Sequence, residues 1–333
     1  MYESMFPQPN PVDVERKALR RSANFCGLMV LAMFAANVVI SVVILILASF
    51  GVFDLGADNY GLNNTAYLIF NMVLYLVFLP LPALATAALS RSRIHPFPVK
   101  KVGMGLTVCL VLAGMGMAIL SNLLSSYLMD FLTAIGIPYP EFPDTMELTA
   151  LSLILNILST AVLPALVEEF IFRGYIQGAL KPFGNGIAIV LSAFIFGIFH
   201  GNILQFPFAF LMGLVFGWLF AATGSIWPSV LVHFGNNLMS VLLDWYAKAY
   251  PDTQNEQITV TFAVVAAVGV VALGALLLRD KGGSGNRDLF RPVHNGTCVF
   301  SVSKRVGIAL VSPAMLIALI VMVFQLVTSM VAV

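Results

Sequence analysis

Three charged residues stand together inside a long apolar stretch, as Glu168-Glu169-Phe170-Ile171-Phe172-Arg173. Only 10% of the 333 residues are charged, so the cluster needs a cause. An unpaired carboxylate in hydrocarbon is expensive, and ionisable residues inside membrane segments are functional candidates by default. On a helix Glu169 and Arg173 share a face and can pair. Glu168 is rotated by about 100° from Glu169 and can point elsewhere. One acid can therefore hold structure while the other does chemistry. The plain alternative is a helix end whose charges meet lipid headgroups.

Two histidines follow in apolar runs. Phe196-Gly197-Ile198-Phe199-His200 puts Phe196 and His200 one turn apart on one face. His233-Phe234-Gly235-Asn236-Asn237 does the same for His233 and Asn237. Gly197 and Gly235 remove bulk beside each histidine, which suits a crowded polar cavity. A lone membrane histidine is often only a helix–helix hydrogen bond. Two of them after an acid pair point instead to a shared site. A carboxylate and an imidazole can together polarise water for attack. An asparagine amide can donate to the oxyanion that develops. Glu168, His200 and His233 also make a zinc-type ligand set with an open fourth position, so a divalent metal is a candidate cofactor. His95 and His294 fall in polar loops, where they are solvated.

The elements that must carry these groups are membrane helices. The chain is 59% hydrophobic with a mean hydropathy of +0.94, far above a soluble domain. A net charge of +1 argues against nucleic acid as a partner. Three scattered cysteines suggest neither a disulfide framework nor a cysteine zinc site. The first apolar run is too long for a signal peptide and is read as retained. No strand alternation is visible, so the expected fold is an all-α, polytopic transmembrane bundle with a polar cavity inside it.

Nine spans are predicted, at 24–50, 64–89, 103–135, 147–180, 186–202, 204–222, 225–245, 258–278 and 307–331. Basic residues favour the cytoplasmic side. Arg16, Lys17, Arg20 and Arg21 therefore place the N-terminus inside, and the basic loop 279–306 lies inside as well. The acidic loops 51–63 and 136–147 lie outside, and so does the C-terminus. This pattern fits a bacterial plasma membrane, with an ER membrane as the alternative. The fourth span holds Pro164 and Gly174 and is expected to bend or to run into an interfacial segment. The fifth is short, as helices lining cavities often are. Counting rise along the helices puts His200 and His233 at unequal depths. Gly213 and Gly217 form a small-xxx-small pair, suited to close helix contact or simply facing lipid. Residues 282–285 read as a flexible linker. The chain divides into accessory spans at 1–146, a catalytic core at 147–245, and two further spans at 246–333.

Glu168-Glu169-x-x-x-Arg173, Phe196-x-x-x-His200 and His233-x-x-x-Asn237, in that order, resemble the three-motif signature of the CPBP family. That family includes CAAX prenyl endopeptidases and bacteriocin-processing or bacteriocin-immunity proteins. The resemblance covers about residues 147–245, and the outer spans match nothing nameable. It implies an intramembrane endopeptidase acting on a membrane-associated peptide or protein, with prenylated substrates among the candidates. It implies Glu168 as the main catalytic carboxylate, with His200 activating the same water. His233 and Asn237 would bind the oxyanion, and Glu169, Arg173 and Phe196 would support the site. The family has been described both as metalloproteases and as metal-independent glutamate proteases. Two other classes stay open: a non-cutting immunity or binding protein, and an ion-coupled transporter, for which no inverted repeat is visible.

Overall fold

The computed structural model describes residues 10–91, 94, 98, 100–136, 146–281 and 298–329. His95, His294, the 282–285 linker, Glu141 and Asp144 lie outside the described residues. All regular structure among the described residues is helical. Its main helices are α1 (Pro11–Ser49), α2 (Asn64–Phe78), α3 (Pro80–Leu89) and α4 (Met104–Ala134). A continuous helical run then spans Ala150–Phe183. Within it lie α5 (Ala150–Asn156), α6 (Leu163–Glu169) and the short α7 (Gly178–Leu180). After it come α8 (Asn185–Phe199), α9 (Phe206–Thr223), α10 (Trp227–Ala249) and α11 (Gln254–Lys281). The last two are α12 (Val302–Leu310) and α13 (Pro313–Thr328). This is an integral membrane protein built as a helical bundle.

Among the described residues, six helical segments are long and apolar enough to cross a membrane, or seven if the bent α12–α13 pair is one span. The expected number was nine. The two remaining apolar segments miss for different reasons. At 15 residues, α8 rises only about 22 Å. In α10 the apolar run is interrupted by His233, Asn236, Asn237, Asp244 and Lys248. The last predicted span is also not one straight helix. It turns by 74° between α12 and α13, where Pro313 has no N–H for the Ala309 carbonyl.

The fourth span stays helical from end to end. It accommodates its irregular residues by widening to π-helical turns at Ile157–Val162 and Phe170–Gln177. These two wide stretches flank α6, so the acid pair sits where the helix changes pitch. Such local insertions rotate the faces on either side and recur at functional sites.

Contacts between loops define two ends of the bundle. At one end Asn64 Nδ2 donates to Glu147 Oε1 at 2.8 Å, and Lys248 Nζ donates to the Met146 carbonyl. At the other end Glu15 accepts from the Phe300 amide at 3.0 Å, and the Ile226 amide donates to the Pro98 carbonyl at 3.1 Å. The segments expected on opposite sides of the membrane thus sort to opposite ends.

Close backbone approach sets the packing of α8 on α9. A Cβ at Gly213 would lie 2.9 Å from Ala193 Cα, and one at Gly217 would lie 3.1 Å from Ile189 Cγ2. The pair therefore faces a helix, not lipid. The same closeness exposes two α9 carbonyls: Arg173 Nη2 donates to Gly213 O at 3.2 Å, and Gln177 Nε2 donates to Gly217 O at 2.8 Å. Two side chains four residues apart thus clasp two carbonyls four residues apart. Gly213→Ala should destabilise the protein by about 1–3 kcal/mol through overpacking. Gly186→Ala, which meets nothing within 4 Å, should not. Melting temperatures in detergent compare the two.

Candidate active site

Glu168, Phe196, His200, His233 and Asn237 line one cavity of about 340 Å³. Its walls come from the fourth span, α8, α9 and α10. The unequal rises to His200 and His233 do not keep them apart. His200 caps the short α8, while His233 lies six residues past the start of α10. Glu169 and Arg173 lie behind the cavity wall, with both side chains 0% exposed, whereas the Glu168 side chain is 15% exposed. The wide turns around α6 let the two adjacent acids face these different surroundings.

The buried acid is heavily engaged. Arg173 Nη1 donates to Glu169 Oε1 at 3.0 Å. The guanidinium also lies over the rings of Phe196, at 4.5 Å, and Phe216, at 5.0 Å. Such faces attract a cation, and the planar fork suits stacking. Phe196 thereby earns its place in the motif: one face of its surroundings is the buried cation and another is the cavity.

His233 bridges the two acids. Its Nδ1 lies 3.1 Å from Glu169 Oε1, and its Nε2 lies 3.8 Å from Glu168 Oε2. Its ring stacks on Phe216, with centroids 4.9 Å apart and planes 15° apart. A carboxylate held ionic by an arginine only accepts, so the facing Nδ1 carries a proton. The spacing argument paired Glu169 with Arg173 alone. The carboxylate is in fact shared with His233, so its supporting role extends to a ring in the cavity.

His200 Nδ1 lies 2.8 Å from the Phe196 carbonyl oxygen. A carbonyl cannot donate, so Nδ1 is the protonated nitrogen and Nε2 is left basic in the neutral ring. The i,i+4 relation of Phe196 and His200 is therefore also a main-chain hydrogen bond that fixes the tautomer.

Asn237 Nδ2 donates to the Thr160 carbonyl at 2.9 Å, and Asn237 Oδ1 accepts from Asn236 at 3.1 Å. Pro164, four residues after Thr160, has no N–H to offer that carbonyl. The proline and the asparagine are thus two halves of one arrangement. An amide nitrogen carries two hydrogens, so Asn237 keeps one beyond the bond to Thr160. Gly197 and Gly235 do not open space for the histidines. Cβ atoms there would meet Phe210 of α9 at 3.0 Å and Met115 of α4 at 3.0 Å. They permit helix approach instead.

One participant lies outside the motif region. Tyr75 Oη, on α2, donates to Glu168 Oε1 at 2.8 Å. The signal for it was a mid-span tyrosine, whose hydroxyl needs a partner once buried. Tyr75→Phe should lower kcat about tenfold with little change in KM, because a hydrogen bond to a charged group is worth about 1.5–3 kcal/mol. A steady-state comparison at equal folded fraction checks this. Among the described residues, no three His, Cys, Asp or Glu side chains are placed to hold a metal ion. The alternative ligand set Glu168, His200 and His233 lines the one cavity.

Comparison with known proteins finds similarity over the segment that carries these residues. The family described as Type II CAAX prenyl endopeptidase Rce1-like matches residues 150–239. A Bacillus subtilis (strain 168) protein named "Putative membrane peptidase YdiL" is 29% identical over 145 residues, covering 43% of this chain. The chain spans 59% of the length of that curated relative. No solved structure matches. The matched segment holds the acid pair, Arg173, both cavity histidines and Asn237, so this helical membrane protein is similar to the CAAX prenyl endopeptidase family over the residues that build the cavity.

Proposed function

We propose that the protein is an intramembrane endopeptidase that hydrolyses a peptide bond of a membrane-associated peptide or protein. The observation that carries this reading is the division of the acid pair. Glu169 is locked by Arg173 and His233, while Glu168 opens on the cavity shared with His200.

In this reading a water molecule sits between the Glu168 carboxylate and His200 Nε2. Glu168 takes one proton as the water oxygen attacks the scissile carbonyl carbon, and the carbonyl π pair moves to its oxygen. The second Asn237 N–H donates to that oxyanion. His233, fixed through its Nδ1–H by the Glu169 carboxylate, borders the oxyanion on the same cavity wall as Asn237. Collapse of the tetrahedral intermediate breaks the C–N bond, and the proton held by Glu168 passes to the leaving nitrogen. The hydrocarbon around the cavity strengthens each of these interactions. Substrates carrying a prenyl group are one class that an apolar, membrane-embedded site can admit.

The test is incubation of purified protein with a library of membrane-anchored peptides, with new termini mapped by mass spectrometry in the presence and absence of a strong chelator. Cleavage that persists under chelation is expected. Cleavage lost on chelation and restored by added zinc would overturn the metal-independent form of the proposal. No cleavage of any anchored peptide by folded protein would overturn the endopeptidase reading.

A further inference from the structure

A second cavity, of about 1140 Å³, lies between α1 and the end of α3, with Ala179 of α7 in its wall. Most of its α1 lining, at positions 13, 16, 17, 20, 21, 24 and 28, recurs on one face of the helix, with Ser22 and Phe25 beside it. Arg16, Lys17, Arg20 and Arg21 come from this face, and Arg91 arrives from the end of α3. Five cations thus line one recess. Among the described residues its one acidic lining residue is Asp13, which is 3.9 Å from Arg16. The nearby Glu15 is committed elsewhere, accepting from the Phe300 amide and lying 3.9 Å from Arg305. Like charges gathered this closely call for an anion from outside the chain. Beyond the basic rim the walls turn apolar, with Phe25, Leu28 and Ile94. Leu28 is 49% exposed.

We infer that this recess binds the phosphate headgroup of an anionic phospholipid, with the acyl chains laid along Leu28. Two features select a lipid over a free anion. The charged rim is continuous with an apolar wall, and α1 continues from there into a lipid-exposed stretch of Val38, Val39, Val42 and Leu45. Basic pockets between membrane helices commonly hold such headgroups. The recess also abuts the catalytic span, since Ile94 Cγ2 would lie 3.0 Å from a Cβ at Gly178. The occupant would therefore brace the helix that carries Glu168, yet binding itself does not depend on the peptidase reading.

Native mass spectrometry of the full chain in neutral detergent, titrated with phosphatidylglycerol, phosphatidylcholine or inorganic phosphate, tests this. Saturable binding of phosphatidylglycerol is expected, at least tenfold tighter than phosphatidylcholine. The triple variant Arg20→Gln, Arg21→Gln, Arg91→Gln should bind it on the order of 100-fold more weakly, at about fivefold per lost cation. Lys101→Gln, an exposed cation outside the recess, should bind normally. If the triple variant does not fold, Lys17→Gln with Arg91→Gln takes its place, with roughly 25-fold weakening expected. Equal affinity for the two lipids, undiminished binding by the folded variants, or inorganic phosphate binding as tightly as phosphatidylglycerol would each overturn the inference.

Discussion

Glu168→Gln is expected to remove nearly all turnover while leaving the melting temperature close to that of the wild type. The exchange is almost isosteric, and the amide oxygen can still accept from Tyr75 Oη, which lies 2.8 Å from Glu168 Oε1. What is lost is the base. An amide does not take a proton from water, and positioned general bases contribute about 10²–10⁴-fold to rate. Because the Glu168 side chain is partly exposed to the cavity and, among the described residues, forms no ion pair with Lys or Arg, its neutralisation strands no fully buried charge. Turnover number and thermal denaturation of the same preparation check both halves of this expectation. Retained turnover, or loss only through unfolding, would remove Glu168 from the catalytic role.

The neighbouring acid behaves in the opposite way. Glu169→Gln and Arg173→Gln each leave one charge of a completely buried pair without its partner. Breaking such a pair on one side costs about 3–5 kcal/mol. Both variants should therefore melt well below the wild type in detergent. The double variant should lose less than the sum of the two, since no charge is then stranded. Activity should fall in Glu169→Gln even under conditions where the fold persists, because His233 Nδ1 loses the carboxylate 3.1 Å away. Arg173→Gln should spare more activity once temperature is lowered. A four-member cycle of melting temperatures, with turnover at low temperature, reads this out. Additive losses would mean that the two side chains do not act as a pair.

Much of this architecture was legible in the sequence because it repeats at helical spacing. The i,i+4 relations within the fourth span, α8 and α10 are local, and so is the small-residue pair Gly213 and Gly217. Helix class and membrane character followed from apolar runs alone. What joins the helices was less visible. The Tyr75–Glu168 bond spans 93 residues and the His233–Glu169 bond spans 64, so no periodicity records either. Glu169 accordingly looked like a simple partner of Arg173, and Tyr75 looked like part of an accessory span. Gly197 and Gly235 were misread for the same reason. Absence of a side chain can serve a cavity or a neighbouring helix, and only the position of Phe210 and Met115 decides between them. The count of nine membrane-crossing helices is not confirmed, for a different reason. Apolar runs mark burial as readily as lipid exposure, and α8 is a buried wall of the site with ten of its 15 residues inaccessible.

The central claim is that the open carboxylate of a divided acid pair activates water for peptide hydrolysis. Its most direct test is the rate of new-terminus formation from a membrane-anchored peptide in proteoliposomes, measured side by side for wild type and Glu168→Gln of matched melting temperature. The account predicts steady product formation by the wild type and a rate lower by at least about 10²-fold for Glu168→Gln. Equal rates for the two proteins would contradict it.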